Sequence, residues 1–313
     1  MHLLPAGLTY FLEVARTGSV TEAAAALTVA PSAISRQIAK LETSIGVPLF
    51  VRHPRGMLPT EAGSLLLDYL RRTEAESAAL LGELRSGRAR QARTLTVACS
   101  EGFARRVVPQ AMAQFREDHP EVAFRLEVVG REEATRRVLE GSADVAVTYA
   151  TGLQRGVRVE SAVVVPVYAI VPIGHPLAGR DRLSVADLCE HPIALPVPGQ
   201  SLRELLDIAL RIEDRTVNGV LECGELAPQY EFVRRGGGIA LVGGLGDPHE
   251  DAAAEGVAYV LVDNPVFRKR EAQVQTMAGR SLPPALTRFT AVLTTLVQAP
   301  PPGKPGETPS RSC

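Results

Sequence analysis

Apolar and polar positions follow a helical period over the first part of the chain and a different pattern from residue 94 onwards. In residues 19–50 apolar positions recur every three or four residues in two short runs, with a break at 28–30. A narrower stripe with the same period continues through residues 60–87. From residue 94, short apolar runs alternate with amphipathic segments. The pattern predicts a helical N-terminal part, one long helix, and an α/β C-terminal part.

The first two apolar runs predict a helix-turn-helix. Ser19 and Glu22 have the spacing of a capping box at a helix start. Pro31 suits the first turn of the next helix, and Gly46 suits its end. At 100° per residue, one face of this second helix is apolar and should be buried. That face carries Ile34, Ile38, Leu41 and Ile45.

The opposite face of the second helix is narrow, with small residues near its start and with cations and hydroxyls beyond. Such a face suits a helix that lies in a groove of duplex DNA, where Arg36 could contact a guanine edge or a phosphate. Gln37 lies nearer the buried side and could reach in only from the flank. The alternative is an ordinary helical hairpin with a solvated charged face.

The segment that follows favours DNA binding over that alternative. Pro54 and Gly56 predict a tight turn between short apolar ends, and the turn is basic. We therefore expect a wing that lies along the DNA backbone or enters the minor groove. The predicted DNA-contacting residues are Ser19, Ala30, Pro31, Ser32, Ser35, Arg36, Gln37, Lys40, Arg52, His53 and Arg55.

Residues 60–93 predict a linker helix, capped by Thr60 and followed by a polar, basic hinge at 85–93. A helix this long with a narrow apolar stripe is typical of helix pairing, and no other segment offers a long mate. We expect a second copy of the same helix, because a two-fold dimer presents two recognition helices to two half-sites. The alternative is packing of the stripe on its own N-terminal domain. The stripe consists of Leu66, Tyr69, Leu70, Thr73, Ser77, Leu80, Leu81 and Leu84.

The C-terminal part predicts two α/β lobes around a cleft, with the chain crossing out near Val163 and back near Asn264. Ligands bind at the carboxyl ends of the strands in sheets of this type. Residues 299–313 are rich in Pro, Ser and Gly, which predicts a disordered tail. The predicted limits are 1–59 for the DNA-binding domain, 60–93 for the linker, 94–163 with 267–298 for lobe I, and 164–266 for lobe II.

Composition excludes several classes of protein. The chain has 313 residues, 45% of them hydrophobic, with room for two or three domains. No apolar run reaches membrane-spanning length and no signal peptide is evident, so we expect a cytoplasmic protein with no membrane partner. Net charge is −1, and residues 1–60 carry five cations against three carboxylates, which is a weak basic signal. The four cysteines lack metal-ligand spacing, so we predict free thiols, no metal and no cofactor.

Residues 8–70 resemble the DNA-binding end of the LysR-type transcriptional regulators. The match is contiguous, and only Ala30-Pro31 departs from the usual pattern, which bears on the DNA sequence that is read. The matching residues are Leu8, Phe11, Val14, Gly18-Ser19, Ala23-Ala24, Leu27, Ala33-Ile34-Ser35-Arg36-Gln37-Ile38, Leu41-Glu42, Gly46, Leu49-Phe50-Val51-Arg52 and Thr60-Glu61-Ala62-Gly63.

The second half is similar, more loosely, to the effector-binding domain of the same family. Its matching segments are Asp118-His119-Pro120, Gly141-Ser142-Ala143-Asp144, His175-Pro176-Leu177 and Gly236-Gly237-Gly238-Ile239-Ala240. The resemblance implies a winged helix-turn-helix, a linker helix and a bilobed domain of the periplasmic-binding-protein type (type 2). It also implies a homotetramer, a small-molecule co-inducer that shifts DNA bending, and contact with RNA polymerase if the protein is an activator.

Candidate effector-binding residues follow the predicted strands at the cleft. Two helix starts, at 99–102 and 199–201, suit a carboxylate or another anion. Glu101 would repel an anion and could instead hold an amine or a hydroxyl. Ser201 and Glu204 have capping-box spacing, which explains Ser201 without a ligand. The candidates are Cys99, Ser100, Glu101, Gly102, Gly130, Thr148, Tyr149, Gly199, Gln200, Ser201 and Glu225.

Two other functions remain open alternatives. A redox-responsive regulator of the same fold would use Cys99 with Cys189 or Cys223, because a thiol near a helix start favours the thiolate. An enzyme in the bilobed domain is a remote alternative, since no nucleophile elbow, zinc-protease motif or paired-carboxylate pattern is present, and we predict no catalytic residues. Residues 236–246 lack the spacing of a nucleotide loop and predict a turn, a strand and a turn.

Overall fold

The computed structural model describes residues 4–54, 56–86, 94–150, 152, 154–244 and 256–298, with the side chains of 78–80 and 82–86 outside that description. The chain divides into two compact units. The first contains the N-terminal helices and the wing, and the second contains the α/β part. None of the described helices has the length and apolar character needed to cross a membrane.

The first unit is a helix-turn-helix with a wing and a long helix. Its elements are α1 (Ala6–Thr17), α2 (Val20–Leu27), α3 (Pro31–Ile45), β1 (Phe50–His53), β2 (Gly56–Pro59) and α4 (Glu61–Ser86). Glycines end two of the helices, with φ of 68° at Gly18 and 85° at Gly46, a conformation that a Cβ would disfavour. The core consists of Phe11, Val14, Ala23, Ala24, Ile34, Ile38, Leu49, Phe50 and Leu70.

Two details of the helix-turn-helix differ from the prediction. Ser19 Oγ accepts from the Glu22 amide at 3.3 Å, but the Ser19 amide donates to Thr17 Oγ1 at 3.3 Å instead of to the Glu22 carboxylate. Only half of the capping box therefore forms. Ile34 and Ile38 are buried as expected, whereas Ile45 is 47% exposed. Ile45 is the last residue of α3 and lies beyond the core that covers the apolar face.

The apolar stripe of α4 is divided between two environments. Thr60 caps the helix as predicted, since its Oγ1 accepts from the Gly63 amide at 3.0 Å. Leu70 is fully buried in the helix-turn-helix core and Leu66 packs against that core. Tyr69 is 56% exposed. Packing on its own domain thus holds for the start of the stripe, while the side chains of Leu80 and Leu84 lie outside the described residues.

Lobe I of the second unit is a five-stranded sheet with helices around it. Its elements are β3 (Thr94–Cys99), α5 (Glu101–Ala104), α6 (Val107–Asp118), β4 (Ala123–Val128), α7 (Arg131–Leu139), β5 (Val145–Ala150), β6 (Val157–Val164), β13 (Glu271–Met277) and α11 (Pro284–Gln298). The strand order is β4-β3-β5-β13-β6. β3 is parallel to β4 and β5, as the βαβ pattern predicts, whereas β13 is antiparallel to β5.

Lobe II is a six-stranded sheet built from the middle of the chain. Its elements are β7 (Val167–Pro172), β8 (Arg182–Leu183), α8 (Val185–Cys189), β9 (Pro192–Leu195), α9 (Ser201–Ile212), β10 (Asn218–Glu222), α10 (Leu226–Arg234), β11 (Ile239–Gly243) and β12 (Val257–Val262). The strand order is β10-β9-β11-β7-β12-β8. β9 is parallel to its neighbours, and β7 is antiparallel to both of its own.

Two neighbouring segments connect the lobes. The outgoing segment passes Val165 and Pro166, and the Val165 amide donates to the Arg270 carbonyl on the returning segment at 2.9 Å. A 3-10 turn, Phe267–Lys269, precedes Arg270. Phe267 packs in the core of lobe II, so the chain re-enters lobe I about three residues later than the sequence suggested. The bilobed α/β fold itself is confirmed.

Candidate functional site

The outward face of α3 carries the residues that the sequence selected for DNA contact. Most of these side chains are exposed, and Ser35 Oγ donates back to the Pro31 carbonyl at 3.1 Å. Ser19 is half-buried at the start of α2. The Gln37 amide oxygen lies beside Gly7 at the start of α1, which places this side chain on the flank of the face. The exposed residues are Ala30, Pro31, Ser32, Ser35, Arg36, Gln37 and Lys40.

The wing extends the same surface. β1 and β2 form an antiparallel hairpin in which Arg52 is paired with Met57 and His53 with Gly56. Arg52 and His53 are exposed, and Arg55 lies outside the described residues. An open groove of about 590 Å³ lies between α3 and the wing. Its lining includes Ser19, Ser35, Ala39, Arg52 and His53.

Hydrogen bonds of backbone amides hold the wing against α3 and against the end of α1. The Glu42 carboxylate accepts from the amides of Leu49 at 2.7 Å and Phe50 at 3.3 Å, at the base of the wing. The Met57 amide donates to the Gly18 carbonyl at 2.7 Å. A Cβ built at Gly63 would collide with the Leu49 carbonyl oxygen, so α4 can pass the wing base only without a side chain there. The sequence did not indicate a role for Glu42, although this residue belongs to the segment Leu41-Glu42 that matches the family pattern.

A second candidate site is a cleft of about 520 Å³ between the two lobes. The volume is within the range of small-molecule sites. It brings together nine of the predicted residues: Ser100, Glu101, Gly102, Gly130, Tyr149, Gly199, Gln200, Ser201 and Glu225. The sequence did not select the other residues that line the cleft: Val128, Val129, Arg131, Leu202, Gly224, Leu226, Gly243 and Arg270.

Two predicted cleft residues lie behind the cleft instead of on its surface. Cys99 is fully buried in the core of lobe I, and Thr148 is 1% exposed. Thr148 Oγ1 shares a hydrogen bond of 2.9 Å with Ser100 Oγ. The buried Thr148 side chain therefore orients the Ser100 hydroxyl through this hydrogen bond. Cys99 is paired with Val147 in the sheet, so Cys99 and Thr148 point to opposite faces of it, and both side chains are buried.

Arg270 is the most unusual of the residues that the sequence missed. It is only 4% exposed, and its guanidinium carbon lies 3.3 Å from the centre of the Tyr149 ring. Nε donates to Ser201 Oγ at 3.1 Å. Burial lowers the pKa of this guanidinium, while Tyr149 acts in the opposite direction. An arginine nevertheless stays protonated in proteins, so the cleft contains a buried positive charge.

The contact with Arg270 replaces the cap that the sequence predicted at Ser201. Ser201 is the first residue of α9, and the N-cap residue Gln200 makes no side-chain hydrogen bond to the helix start. Glu204 does not reach back to the helix start. It accepts instead from Arg131 of lobe I at 2.9 Å. The predicted capping box is wrong because both of its side chains have partners that are distant in sequence.

The Glu101 carboxylate also spans the cleft. It accepts from the Leu226 amide, at 2.9 and 3.0 Å for its two oxygens, in the first turn of α10. A carboxylate is stabilised there because the first amides of a helix have no partners within the helix. Glu101 and the Arg131–Glu204 ion pair thus connect lobe I to lobe II.

The described cysteines, Cys99, Cys189 and Cys223, form no disulfide. Burial raises the pKa of the Cys99 thiol to about 12, which opposes the predicted thiolate. Cys189 and Cys223 are half-buried free thiols, and burial also raises the pKa of Cys189. Cys313 lies outside the described residues. Within the described ranges, no three His, Cys, Asp or Glu side chains are grouped as a metal site would require.

Comparison with known proteins relates both units to regulators. Residues 6–64 match the family profile "Bacterial regulatory helix-turn-helix protein, lysR family", and residues 88–298 match "LysR substrate binding domain". The chain is 28% identical over 245 residues to the RuBisCO operon transcriptional regulator of Allochromatium vinosum, which covers 77% of this chain and 80% of that protein.

Two further comparisons agree with these matches. The chain is 31% identical over 298 residues to the HTH-type transcriptional regulator Mb2303c of Mycobacterium bovis, covering 88% of this chain and 90% of that one. Among solved structures it is similar to HinK from Pseudomonas aeruginosa, with a TM-score of 0.55 and 24% identity over 93% of this chain and 97% of that chain. The structural likeness shows the fold.

Proposed function

Since this chain belongs to the LysR family of transcriptional regulators, we propose that it reads promoter DNA with α3 and the wing. Regulators of this family bind promoter DNA and small-molecule effectors and oligomerise, and they are not enzymes. The observation that carries the proposal is the exposed face of α3 beside the wing, with Arg36 and Lys40 one turn apart. We further propose that the protein acts in the cytoplasm, where its promoter lies.

The proposed DNA interface uses the residues selected from the sequence. The small side chains at the start of α3 permit close approach to a groove, and Arg36 and Lys40 supply cations one turn further along. Arg52 and His53 on the wing would lie against the backbone. Ser19 would contact a phosphate from the start of α2, across the groove from Ser35.

A gel-shift experiment tests the DNA interface. The probe is an interrupted inverted repeat upstream of a neighbouring operon, and binding should weaken steeply as salt rises. Arg36→Ala should weaken binding by about tenfold or more, as expected for loss of one bidentate base or phosphate contact. The matched control is Arg211→Ala, which removes an exposed arginine of α9. Binding that is insensitive to salt, or equal losses in both variants, would contradict the interface.

We propose that oligomers form through α4. Leu65 and Tyr69 are 58% and 56% exposed and lie one turn apart, which leaves an apolar face beside the residues buried in the helix-turn-helix core. Pairing of this face in a homodimer would space two copies of α3, and pairing of dimers would give a homotetramer. An activator of this kind would also contact RNA polymerase.

Sedimentation measures this proposal directly. Leu65→Glu places a charge on the exposed face and should shift the protein towards monomers. Arg71→Glu, a charge change on the same helix, serves as the control. Unchanged assembly in Leu65→Glu would place the dimer contact elsewhere.

We propose that the interlobe cleft binds the effector and that the effector carries a carboxylate. The cleft has a suitable volume and contains the hydroxyls of Ser100 and Ser201. Ser100→Ala should weaken effector binding and leave basal DNA binding unchanged, whereas Arg36→Ala should do the reverse. Loss of both activities in either variant would contradict the division into two modules.

We retain the predicted domain limits, including a tail at 299–313 outside the described residues, but place the start of the second part of lobe I near Arg270.

A further inference from the structure

Arg270 carries a charge that the described structure leaves without a counter-ion. The residue is 4% exposed and lines the cleft, so solvent solvates the guanidinium poorly. No described carboxylate forms an ion pair with it. A buried charge is costly unless it is paired and hydrogen-bonded. An unpaired guanidinium at a cleft therefore favours the binding of an anion there.

One nitrogen of the guanidinium has no hydrogen-bond acceptor among the described residues. Nε donates to Ser201 Oγ, and Tyr149 covers one face of the group. Among the described residues no atom accepts from Nη1, which is buried. Nη1 lies against Gly243, where a Cβ would collide with it. The glycine therefore allows the guanidinium to occupy this position, and Ser201 and Tyr149 hold it there.

Ser201 adds a second donor beside the guanidinium. A hydroxyl can accept hydrogen bonds and donate one, and Ser201 Oγ already accepts from Arg270 Nε. Its own proton is thus available for another acceptor. The two groups together present N–H and O–H donors at one wall of the cleft, which is the arrangement that the oxygens of a carboxylate or phosphate require.

Two of the other charged groups at the cleft, Glu101 and Arg131, have partners, whereas the exposed carboxylate of Glu225 at the start of α10 has none among the described residues. The Glu101 carboxylate is bound by the Leu226 amide, so the start of α10 holds an internal carboxylate. Glu204 is paired with Arg131. Because the Leu226 amide stabilises the negative charge of Glu101, this carboxylate repels an anion less than a free carboxylate would. These contacts direct an anion to Arg270 and away from α10.

We infer that Arg270 and Ser201 form the anion-binding element of the cleft and that the effector presents an oxyanion, a carboxylate or a phosphate, to the Arg270 guanidinium and the Ser201 hydroxyl. This inference rests on the proposed function of the cleft as the effector site. It adds the two residues that bind the anionic group of the effector.

Thermal unfolding of the full-length protein tests the inference. The chain has no tryptophan, so the transition is followed with a hydrophobic dye. The probes are acetate and inorganic phosphate, with acetamide as the neutral match of acetate, all at constant ionic strength in chloride. Acetate or phosphate should raise the transition temperature in a saturable way, and acetamide should not. A response to acetate alone assigns the effector group to carboxylates, and a response to phosphate alone assigns it to phosphates.

Two variants and a control identify the residues. Arg270→Met keeps the length of the side chain but removes the charge, and it should abolish the anion-dependent shift or weaken the apparent affinity by at least about tenfold. Ser201→Ala should weaken the affinity less and keeps the result decisive if Arg270→Met does not fold. Arg268→Met, which removes a 70% exposed arginine two residues away, should respond like the wild type. Anion stabilisation that is absent in the wild type, or unchanged in both cleft variants, overturns the inference.

Failure of the inference can be distinguished from failure of the proposed function. A gel shift of promoter DNA is repeated with candidate metabolites on the wild type and on Arg270→Met. If a metabolite alters the DNA complex equally in both proteins, the cleft function stands and the role of Arg270 is wrong. If acetate or phosphate stabilises only the wild type but no anion alters the DNA complex, the anion site stands and its regulatory function is wrong.

Discussion

Replacement of Glu42 distinguishes a structural role from a simple electrostatic one, because the two predict opposite changes in DNA affinity. Glu42 lies near the proposed DNA surface, so loss of its negative charge would by itself strengthen DNA binding. The same carboxylate accepts from the Leu49 and Phe50 amides at the base of the wing. Glu42→Ala leaves both amides without this acceptor, and Leu49 is 1% exposed.

The expected cost follows from these two contacts. Hydrogen bonds to charged groups contribute about 1.5–3 kcal/mol each when they are shielded from water. Glu42 is half-buried, so we discount the pair to about 2 kcal/mol. A change of 2 kcal/mol corresponds to about a 30-fold increase in the population of the open wing. Glu42→Gln keeps an oxygen acceptor and should lose less than half of this stability.

Amide hydrogen exchange measures this effect at the wing itself. The peptide that spans the wing base should exchange about 30-fold faster in Glu42→Ala, and DNA affinity should fall although a negative charge has been removed. In Glu42→Gln the exchange should change little and DNA affinity should rise. Glu22→Gln removes an exposed carboxylate of α2 that makes no contact with the wing, and it serves as the charge control. Stronger DNA binding by Glu42→Ala, with unchanged exchange, would refute the structural role.

Three further predictions follow from particular contacts. Gly63→Ala forces a Cβ onto the Leu49 carbonyl and should destabilise the first unit by about 1–3 kcal/mol in urea unfolding, whereas Ala62→Gly next to it should cost about 1 kcal/mol at most. Leu70→Ala should cost about 2–5 kcal/mol because the side chain is fully buried, whereas Ile212→Ala, at a side chain that is 69% exposed, should change the unfolding free energy by less than about 0.5 kcal/mol. In a Cys313→Ser background, iodoacetamide at pH 8 should modify Cys223 before Cys99, because burial raises the pKa of Cys99 to about 12; rapid loss of the Cys99 thiol would reopen the redox alternative.

The sequence predicted the helix-turn-helix well because its signals are local. Pro31 at a helix start, Gly46 at a helix end and Thr60 as a cap each act within one turn of their own position. The two apolar periods separate the helical part from the α/β part for the same reason. Ile45 shows where this reasoning stops. A face calculated along an isolated helix does not reveal where its packing partner ends.

Capping motifs show a second limit. Ser19–Glu22 and Ser201–Glu204 have the same spacing, yet one forms half a capping box and the other forms none. At Ser201 the competing partner is Arg270, which is 69 residues away. The helix also begins one residue earlier than the capping box requires, so the Glu204 amide donates to the Gln200 carbonyl at 3.1 Å. A motif that relies on local geometry predicts only what happens when no tertiary contact competes.

Arg270 could not be found from the sequence because its burial results from chain topology. It follows Arg268 and Lys269 in a basic run, and those neighbours are exposed at the surface of lobe II. The chain crosses back to lobe I at Arg270 itself, beside the outgoing segment at Val165. Arg270 lines the cleft and belongs to neither hydrophobic core, so its side chain can extend between the lobes. If the cleft binds an effector as proposed, the cost of burying this charge depends on what fills the cleft, so Arg270 would couple ligand binding to the arrangement of the lobes.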